Sequence, residues 1–373
     1  VTDIDLGKDL TIGIEEEFQI IGPTGELTAH IDTLLESAAP LYGEDVKAEL
    51  LQSVVEIGTK ICSNVAEARS ELRRLRGGLA ELLAKEGLRL ASAGTHAISR
   101  WQDQQITEAE RYKLLEDEMQ DIARELLIFG MHIHVGIPDR DLRIDVMNEA
   151  RYFLPHLLAL STSSPFWQGR RTGLKSYRGV VWSRFPRSGI PPELASHEEL
   201  DNLIDLLVKT HCIDNGKKVW WDLRPHHIYP TLEFRICDAA TRIEESLCLA
   251  ALTQSIVAKL VVLRRQNLGF RRYSPHLIAE NKWRAMRHGI DGQLIDFGRQ
   301  AEVPMADLVE ELIEFLDDVV DELGCREEVA FARTIVKEGT SADRQLRVFE
   351  ATGSLQAVVD AVAEETVAGV AVA

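Results

Sequence analysis

Three short stretches of this chain each place two chemically capable side chains two residues apart. They are Glu15 and Glu17 in TIGIEEEFQ, His132 and His134 in GMHIHVGI, and Glu233 and Arg235 in TLEFRICD. On a β-strand successive side chains alternate between faces, so each pair shares one face and Glu16, Ile133 and Phe234 take the other. Acids side by side on a strand repel one another and gain nothing from strand propensity. Such a stretch is either an edge strand whose charges block aggregation or one wall of a cation site. Two histidines on one strand face can ligate a metal, bind substrate or be satisfied polar groups. Three pairs with one period are harder to dismiss. As neighbours in one antiparallel sheet they would form a floor of carboxylates and imidazole edged by arginine. Oxygen-rich ligation with one imidazole suits Mg²⁺ or Mn²⁺ rather than zinc, and such ions usually bridge carboxylates to substrate phosphates. The predicted ligand is a nucleotide phosphate.

The elements that position these groups must come from 373 residues, 45% of them apolar, which suffices for a substantial core. There is no run of eighteen apolar residues and no basic segment followed by an apolar block at the N-terminus, so neither a membrane span nor a signal peptide is expected and the cytoplasm is the expected compartment. The five cysteines are scattered without a CxxC pair, as expected of reduced thiols. A net charge of -18 argues against nucleic-acid binding. That average hides a contrast: residues 151–290 carry 21 Lys and Arg against 12 Asp and Glu, leaving 21 against 48 elsewhere. An arginine-rich middle in an acidic chain suggests a local anion site.

Along the chain, 11–21 reads as a strand, followed by the turn signal Gly22-Pro23-Thr24-Gly25 and a helix over 30–40. Residues 47–59 end in a strand carrying Glu49 and Glu56. Asn64 caps a helix with Ala68, Leu72, Leu75, Leu79 and Leu82 on its buried face, and Thr107 with Glu110 forms a capping box opening a helix to about Leu127. Helices are also expected over 141–160, 198–207 and 242–265. The long irregular segment 161–192, with Arg170, Arg171, Arg178, Arg184 and Arg187, is expected to be an anion-binding lid. Acidic amphipathic helices over 304–323 and 354–367 suit packing or a homo-oligomer contact. No P-loop, dinucleotide fingerprint, kinase signature or GxSxG elbow occurs, so a phosphoryl-transfer enzyme built this way holds phosphate with metal ions and arginine.

TIGIEEEFQ, ELLQSVVEIGT, GMHIHVGIPD, SSPFWQG with SYRG and FPRSGIPP, WWDLRP, TLEFRICD and NKWRAMRHG, in that order from about Thr11 to Gly289, together resemble the bacterial carboxylate-amine ligases related to glutamate-cysteine ligase type 2. The resemblance implies an α+β, glutamine synthetase-like catalytic fold: a curved antiparallel sheet with helices packed on its back. One catalytic domain over 1–373 is expected, with the motifs in 11–289 and a helical part in 290–373. It implies ATP-dependent ligation, in which glutamate's γ-carboxylate takes the γ-phosphoryl group and an amine such as cysteine's then displaces phosphate. By that analogy Glu15, Glu17, Glu49, Glu56, His132 and Glu233 are metal-ligand candidates for Mg²⁺ or Mn²⁺. Arg235 would contact the transferring phosphoryl group, Arg178 and Arg224 would bind phosphate or substrate carboxylate, and His134 would face substrate. Asn281, Trp283 and Arg284 are the candidates for the nucleotide base. A metal-dependent phosphohydrolase and a nucleotide-binding homologue without turnover are the competing readings. Glu233→Gln is expected to abolish ligation with little loss of folding, and Glu16→Gln to be far milder in activity.

Overall fold

The computed structural model describes residues 4–370. A seven-stranded antiparallel sheet organises it. In chain order its strands are β1 (Ile12–Ile21), β2 (Val46–Ala48), β3 (Val54–Gly58), β4 (Arg89–Ala91), β5 (Met131–Gly136), β6 (Leu223–Pro225) and β7 (Thr231–Phe234). Across the sheet the order is β6-β7-β5-β1-β3-β2, with β4 pairing the last three residues of β1. The acidic first strand is therefore central, not an edge. Three consecutive glutamates are poor strand formers, but that preference spans only about 1 kcal/mol. Burial of Ile12, Ile14, Phe18, Ile20 and Ile21, worth roughly 1.5–3 kcal/mol per side chain, outweighs it.

The lower face of the sheet rests on two long helices, α1 (Val65–Lys85) and α3 (Ile243–Arg265); between them in sequence lies α2 (Arg178–Trp182). Asn64 caps α1 by accepting from the Glu67 amide, as its sequence predicts. The buried stripe of α1 is Val65, Ala68, Leu72, Leu75, Leu79 and Leu83, so Leu83 takes the place expected of Leu82. Helix α3 is apolar and long enough to cross a membrane, but most of it is buried within the protein, where it packs against α1 and β5.

Glu16 points down, as alternation requires, and meets Arg76 of α1 in a buried two-pronged pair: Nε donates to Oε2 at 2.8 Å and Nη2 to Oε1 at 2.6 Å. Arg76 is 0% and Glu16 1% exposed. The guanidinium also donates to the Ala240 and Thr241 carbonyls and to Ser246 Oγ, which itself donates to Glu16. The pair thus ties β1, α1 and the start of α3 together. Glu16 is tied into the structure, so neutralising it is expected to cost stability, whatever its effect on activity.

Several boundaries differ from the sequence reading. The helix expected from Thr107 begins at Glu110 and stops at Met119, and no side chain caps it. Thr107 is buried instead, with its hydroxyl donating to the Glu49 carbonyl at 2.6 Å and its amide to the Leu50 carbonyl. Those bonds draw the chain away from a capping geometry and pin the loop that carries Glu49. The 141–160 helix is two helices, Arg140–Ala150 and Leu154–Ser161, joined by a 3₁₀ turn ahead of Pro155. Segment 161–192 is threaded by short elements and anchored by Asp238, which accepts from the Ser163 amide and from the Ser164 and Ser176 hydroxyls. The C-terminal helices are wired to this region: Gln345 donates to the Ser163 carbonyl, and the Thr162 hydroxyl donates to the Thr340 hydroxyl at 2.9 Å.

Glu16→Gln leaves Arg76 charged and buried without its counterion. We expect a loss of about 3–5 kcal/mol in unfolding free energy, read as a lower urea midpoint. A variant as stable as wild type would show that the pair does not hold the sheet on its helices.

Candidate active site

The upper face is built by register. Glu15 on β1 lies opposite His132 on β5, and Glu17 opposite Glu56 on β3. His134 lies opposite Glu233 on β7, and Glu233 opposite Arg224 on β6. A cavity of about 290 Å³ opens above these strands; Glu15, Glu17, Glu49, Glu56, His132, Glu233, Arg178, Arg224 and Arg235 all line it. The structure thus brings together the six metal-ligand candidates and the three arginines.

The floor has two acidic groups. In one, ligand atoms of Glu17, Glu49 and Glu56 lie within 4.8 Å of one another; in the other, those of Glu15, His134 and Glu233 do. The second trio contains His134 where the sequence reading favoured His132. His132 Nδ1 lies 3.1 Å from Glu15 and 4.0 Å from Glu233, so both histidines adjoin the same carboxylates. His134 Nδ1 is bonded to Thr231 Oγ1, while its buried Nε2 has no hydrogen-bond partner and faces Glu15 at 3.7 Å.

The two groups differ electrostatically. Burial works against the Glu233 carboxylate, but Arg235 and Arg224, both in direct contact with it, hold it well below the usual carboxylate range. Burial likewise opposes Glu15, but the bond to His132 and the proximity of His134 hold it well below as well. The other trio lacks such partners. Burial and the neighbouring Glu49 push Glu17 up to about 7 despite Arg178. Burial, then Glu49, Glu15 and Glu17, raise Glu56 well above its ordinary value, and burial raises Glu49. Carboxylates crowded this way favour either protons or a cation. The donor set of carboxylate oxygens with imidazole, together with an unpartnered buried imidazole nitrogen, fits a hard divalent ion.

The walls were not legible as site residues in the sequence. Trp182 stacks on Phe185 with ring centroids 5.4 Å apart, and Phe185 meets Trp220 edge-on. The Arg235 guanidinium lies over the Trp182 ring. Tyr112, Leu115, Leu126 and Ile128 close the end above Glu49 and Glu56, and His226 stands beside Arg224. Local sequence offers no signal for Tyr112, which comes from a helix without a motif; the tryptophans lie in the quoted blocks, where aromatic content was the available clue. A second cavity, about 480 Å³, adjoins the first across Arg224 and His226.

Of the arginines in 161–192 only Arg178 reaches the site. Arg170 and Arg171 form an exposed hairpin strand, Arg184 pairs with Glu125, and Arg187 donates to the Lys218 carbonyl. The base-binding candidates lie elsewhere. Asn281 is buried with both ends of its amide bonded to the Ile295 backbone, while Trp283 and Arg284 line a separate depression. Their helix packs behind the sheet's neighbours, so the basic character of NKWRAMRHG serves pairing, as in Lys282 with Asp222 at 2.6 Å and Arg284 with Glu302. Glu233 is 1% exposed between two arginines, so Glu233→Gln is expected to cost stability whatever its effect on activity.

By its family, this chain is a carboxylate-amine ligase related to the glutamate-cysteine ligases. More particularly, the chain belongs to glutamate-cysteine ligase family 2 (GCS2), whose family model matches residues 11–361. Proteins provisionally named glutamate–cysteine ligase 2 are similar to it: that of Chloroflexus aggregans is 55% identical over 97% of this chain and 93% of its own length. That of Herpetosiphon aurantiacus is 55% identical over 96% and 94%. Among solved structures, glutamate–cysteine ligase of Francisella tularensis shares the fold at TM-score 0.69 and 13% identity, covering 96% of this chain and 89% of that one. A bifunctional glutathione synthetase from Pasteurella multocida does so at TM-score 0.74 and 17% identity over 98% of this chain, which spans 53% of that longer protein.

Glu56→Gln puts a permanently neutral amide where burial and the acidic neighbours disfavour the ionised carboxylate. Without divalent ions we expect it to melt higher than wild type, by about 1–2 °C per kcal/mol for a chain of this length. Mg²⁺ should raise the wild-type melting temperature and raise that of the variant less. A variant that melts lower and responds fully to Mg²⁺ would show that the trio is not a strained cation site.

Proposed function

We propose that the protein forms an amide between a carboxylic acid, glutamate in the simplest case, and an amine, cysteine in the simplest case, with ATP converted to ADP and phosphate. The observation that carries this reading is one cavity floor with two adjacent acidic trios, bordered by three arginines. An acid and a triphosphate are both anionic, and each needs a cation to approach these carboxylates. The arginines supply part of that charge, and the two trios would hold divalent ions, Mg²⁺ or Mn²⁺, for the rest. Bound there, such an ion neutralises phosphate oxygens and so eases phosphoryl transfer.

Within this reading the acid's carboxylate oxygen bonds to the γ-phosphorus as ADP leaves, giving an acyl phosphate. The amine nitrogen then attacks the acyl carbon, phosphate departs and the nitrogen loses a proton. Arg235 is locked by Glu233 and Trp182, so its guanidinium is preorganised to stabilise oxygens that gain charge during transfer. Arg224 is held by Glu233 and the Val219 carbonyl at the boundary of the second cavity. Two adjoining cavities suit a long substrate such as a nucleoside triphosphate. The Francisella tularensis relative of the same fold was solved with AMP, which supports nucleotide use. The aromatic and aliphatic walls limit water around a reactive acyl phosphate.

ADP release should require Mg²⁺, an acid and an amine together, and mass detection across an amino-acid panel should identify the product. Phosphate release without acid or amine would instead indicate a phosphohydrolase, and nucleotide binding without turnover an inactive homologue. Arg235→Lys, which keeps charge but loses the planar fork, should lower kcat by about 100-fold or more; wild-type turnover in that variant would remove Arg235 from the chemistry.

A further inference from the structure

We propose that Gly130 is a positioning residue: the absence of its side chain seats the Arg178 guanidinium against the strand beside Glu17, where it receives the anionic group of a substrate. The identity of that substrate rests on the ligase reading above; the seat itself is geometric.

Gly130 immediately precedes β5. Its backbone is held from both sides. On one side its amide donates to Glu17 Oε2 at 2.5 Å and its carbonyl accepts from the Glu17 amide at 3.1 Å. On the other it bridges to Asp238 in the antiparallel sense. Gly130 is not among the residues with positive φ, so the backbone conformation does not call for glycine. The space does. A Cβ at Gly130 would stand 2.4 Å from Arg178 Nη2, 3.0 Å from Cζ and 3.1 Å from Nε. The guanidinium therefore lies directly against the Gly130 α-carbon.

Arg178 is fixed at its other end as well. Its amide donates to Ser164 Oγ at 3.0 Å, and Ser164 and Ser176 both donate to the fully buried Asp238 carboxylate. The guanidinium donates to the Ile236 carbonyl through Nη1 and to the Arg235 carbonyl through Nη2. Arg178 is 5% exposed and lines the cavity, and its buried Nε has no partner. Of five guanidinium N–H groups, only those two bonds are made among the described residues, so a cation with unspent donors stands next to the most crowded carboxylates on the floor. An incoming carboxylate or phosphate answers those donors.

Alanine at Gly130 must push the guanidinium tip by about 1 Å, a displacement that can cost as much as 100-fold when it misaligns a reacting group. The far end of a long side chain can yield while the backbone stays in place. The test compares wild type, Gly130→Ala, Arg178→Ala and the double variant in the full chain, by thermal melting, by KM and kcat for glutamate and ATP, and by calorimetric Kd for each. Gly130→Ala should melt within a few degrees of wild type and raise KM and Kd roughly 10–100-fold for one of the two anions. Glutamate as the affected ligand identifies a carboxylate seat, ATP a phosphate seat. The double variant should be no worse than Arg178→Ala alone. Wild-type constants in a folded Gly130→Ala, or losses that multiply in the double variant, would overturn the assignment. If Gly130→Ala fails to fold, adding Arg178→Ala must restore folding, and failure to do so also overturns it. Wild type that binds these ligands without turnover defeats the ligase reading while the Kd comparison still decides the seat; wild type that binds neither defeats both.

Discussion

The upper face of this sheet depends on an ion pair on its lower face. Glu16 and Arg76, both almost wholly buried, fix the central strand to α1 and to the turn entering α3. Because side chains on a strand have a period of two, holding Glu16 down holds Glu15 and Glu17 up. A slip of one residue would bury two carboxylates in the aliphatic layer and expose the arginine's only full counterion. A buried ion pair adds little net stability over an apolar pair, but its unpaired alternatives are costly, so it specifies register more than it strengthens the fold.

Above it, the floor divides into a compensated half and an uncompensated half. Glu15 and Glu233 are matched by two histidines and two arginines and stay ionised. Glu17, Glu49 and Glu56 face one another with no arginine or histidine among the described residues bonded to them; Arg178, Arg235, Arg111 and Lys47 act from a distance, and burial raises all three. The protein holds unfavourable electrostatics there that a bound cation would relieve. That is the usual direction of the conflict between stability and function: a site ready for a charged ligand is strained without it.

The loops answer to the same demand. Thr107 holds the Glu49 carbonyl, Asp238 holds the serines before and after the Phe166–Arg171 hairpin, and the C-terminal helices brace those serines from behind through Gln345. Segment 161–192 is consequently a wall with a fixed arginine and an aromatic stack, where composition alone suggested a lid. The final third, which carries no chemical motif, contributes by packing.

Strand alternation in TIGIEEEFQ, GMHIHVGI and TLEFRICD was enough to identify the shared face, and the separated blocks were enough to identify the family and with it the antiparallel sheet, because both are carried by local residue order. Residue order could not say that Glu16 would find Arg76, sixty positions away, since nothing near either residue encodes the partner. Composition alone could not tell Arg178, which reaches the cavity, from Arg184 and Arg187, which pair elsewhere, and it was the resemblance through SYRG that singled Arg178 out; nothing local showed that NKWRAMRHG packs away from the floor. The walls Tyr112, Trp182 and Trp220 meet only because their elements converge. The chain by itself determined which groups share a strand face, through the two-residue period of the backbone. Which groups share a cavity, and which of its charges go uncompensated, was decided by the tertiary structure, because burial and long-range pairing exist only once the strands lie side by side.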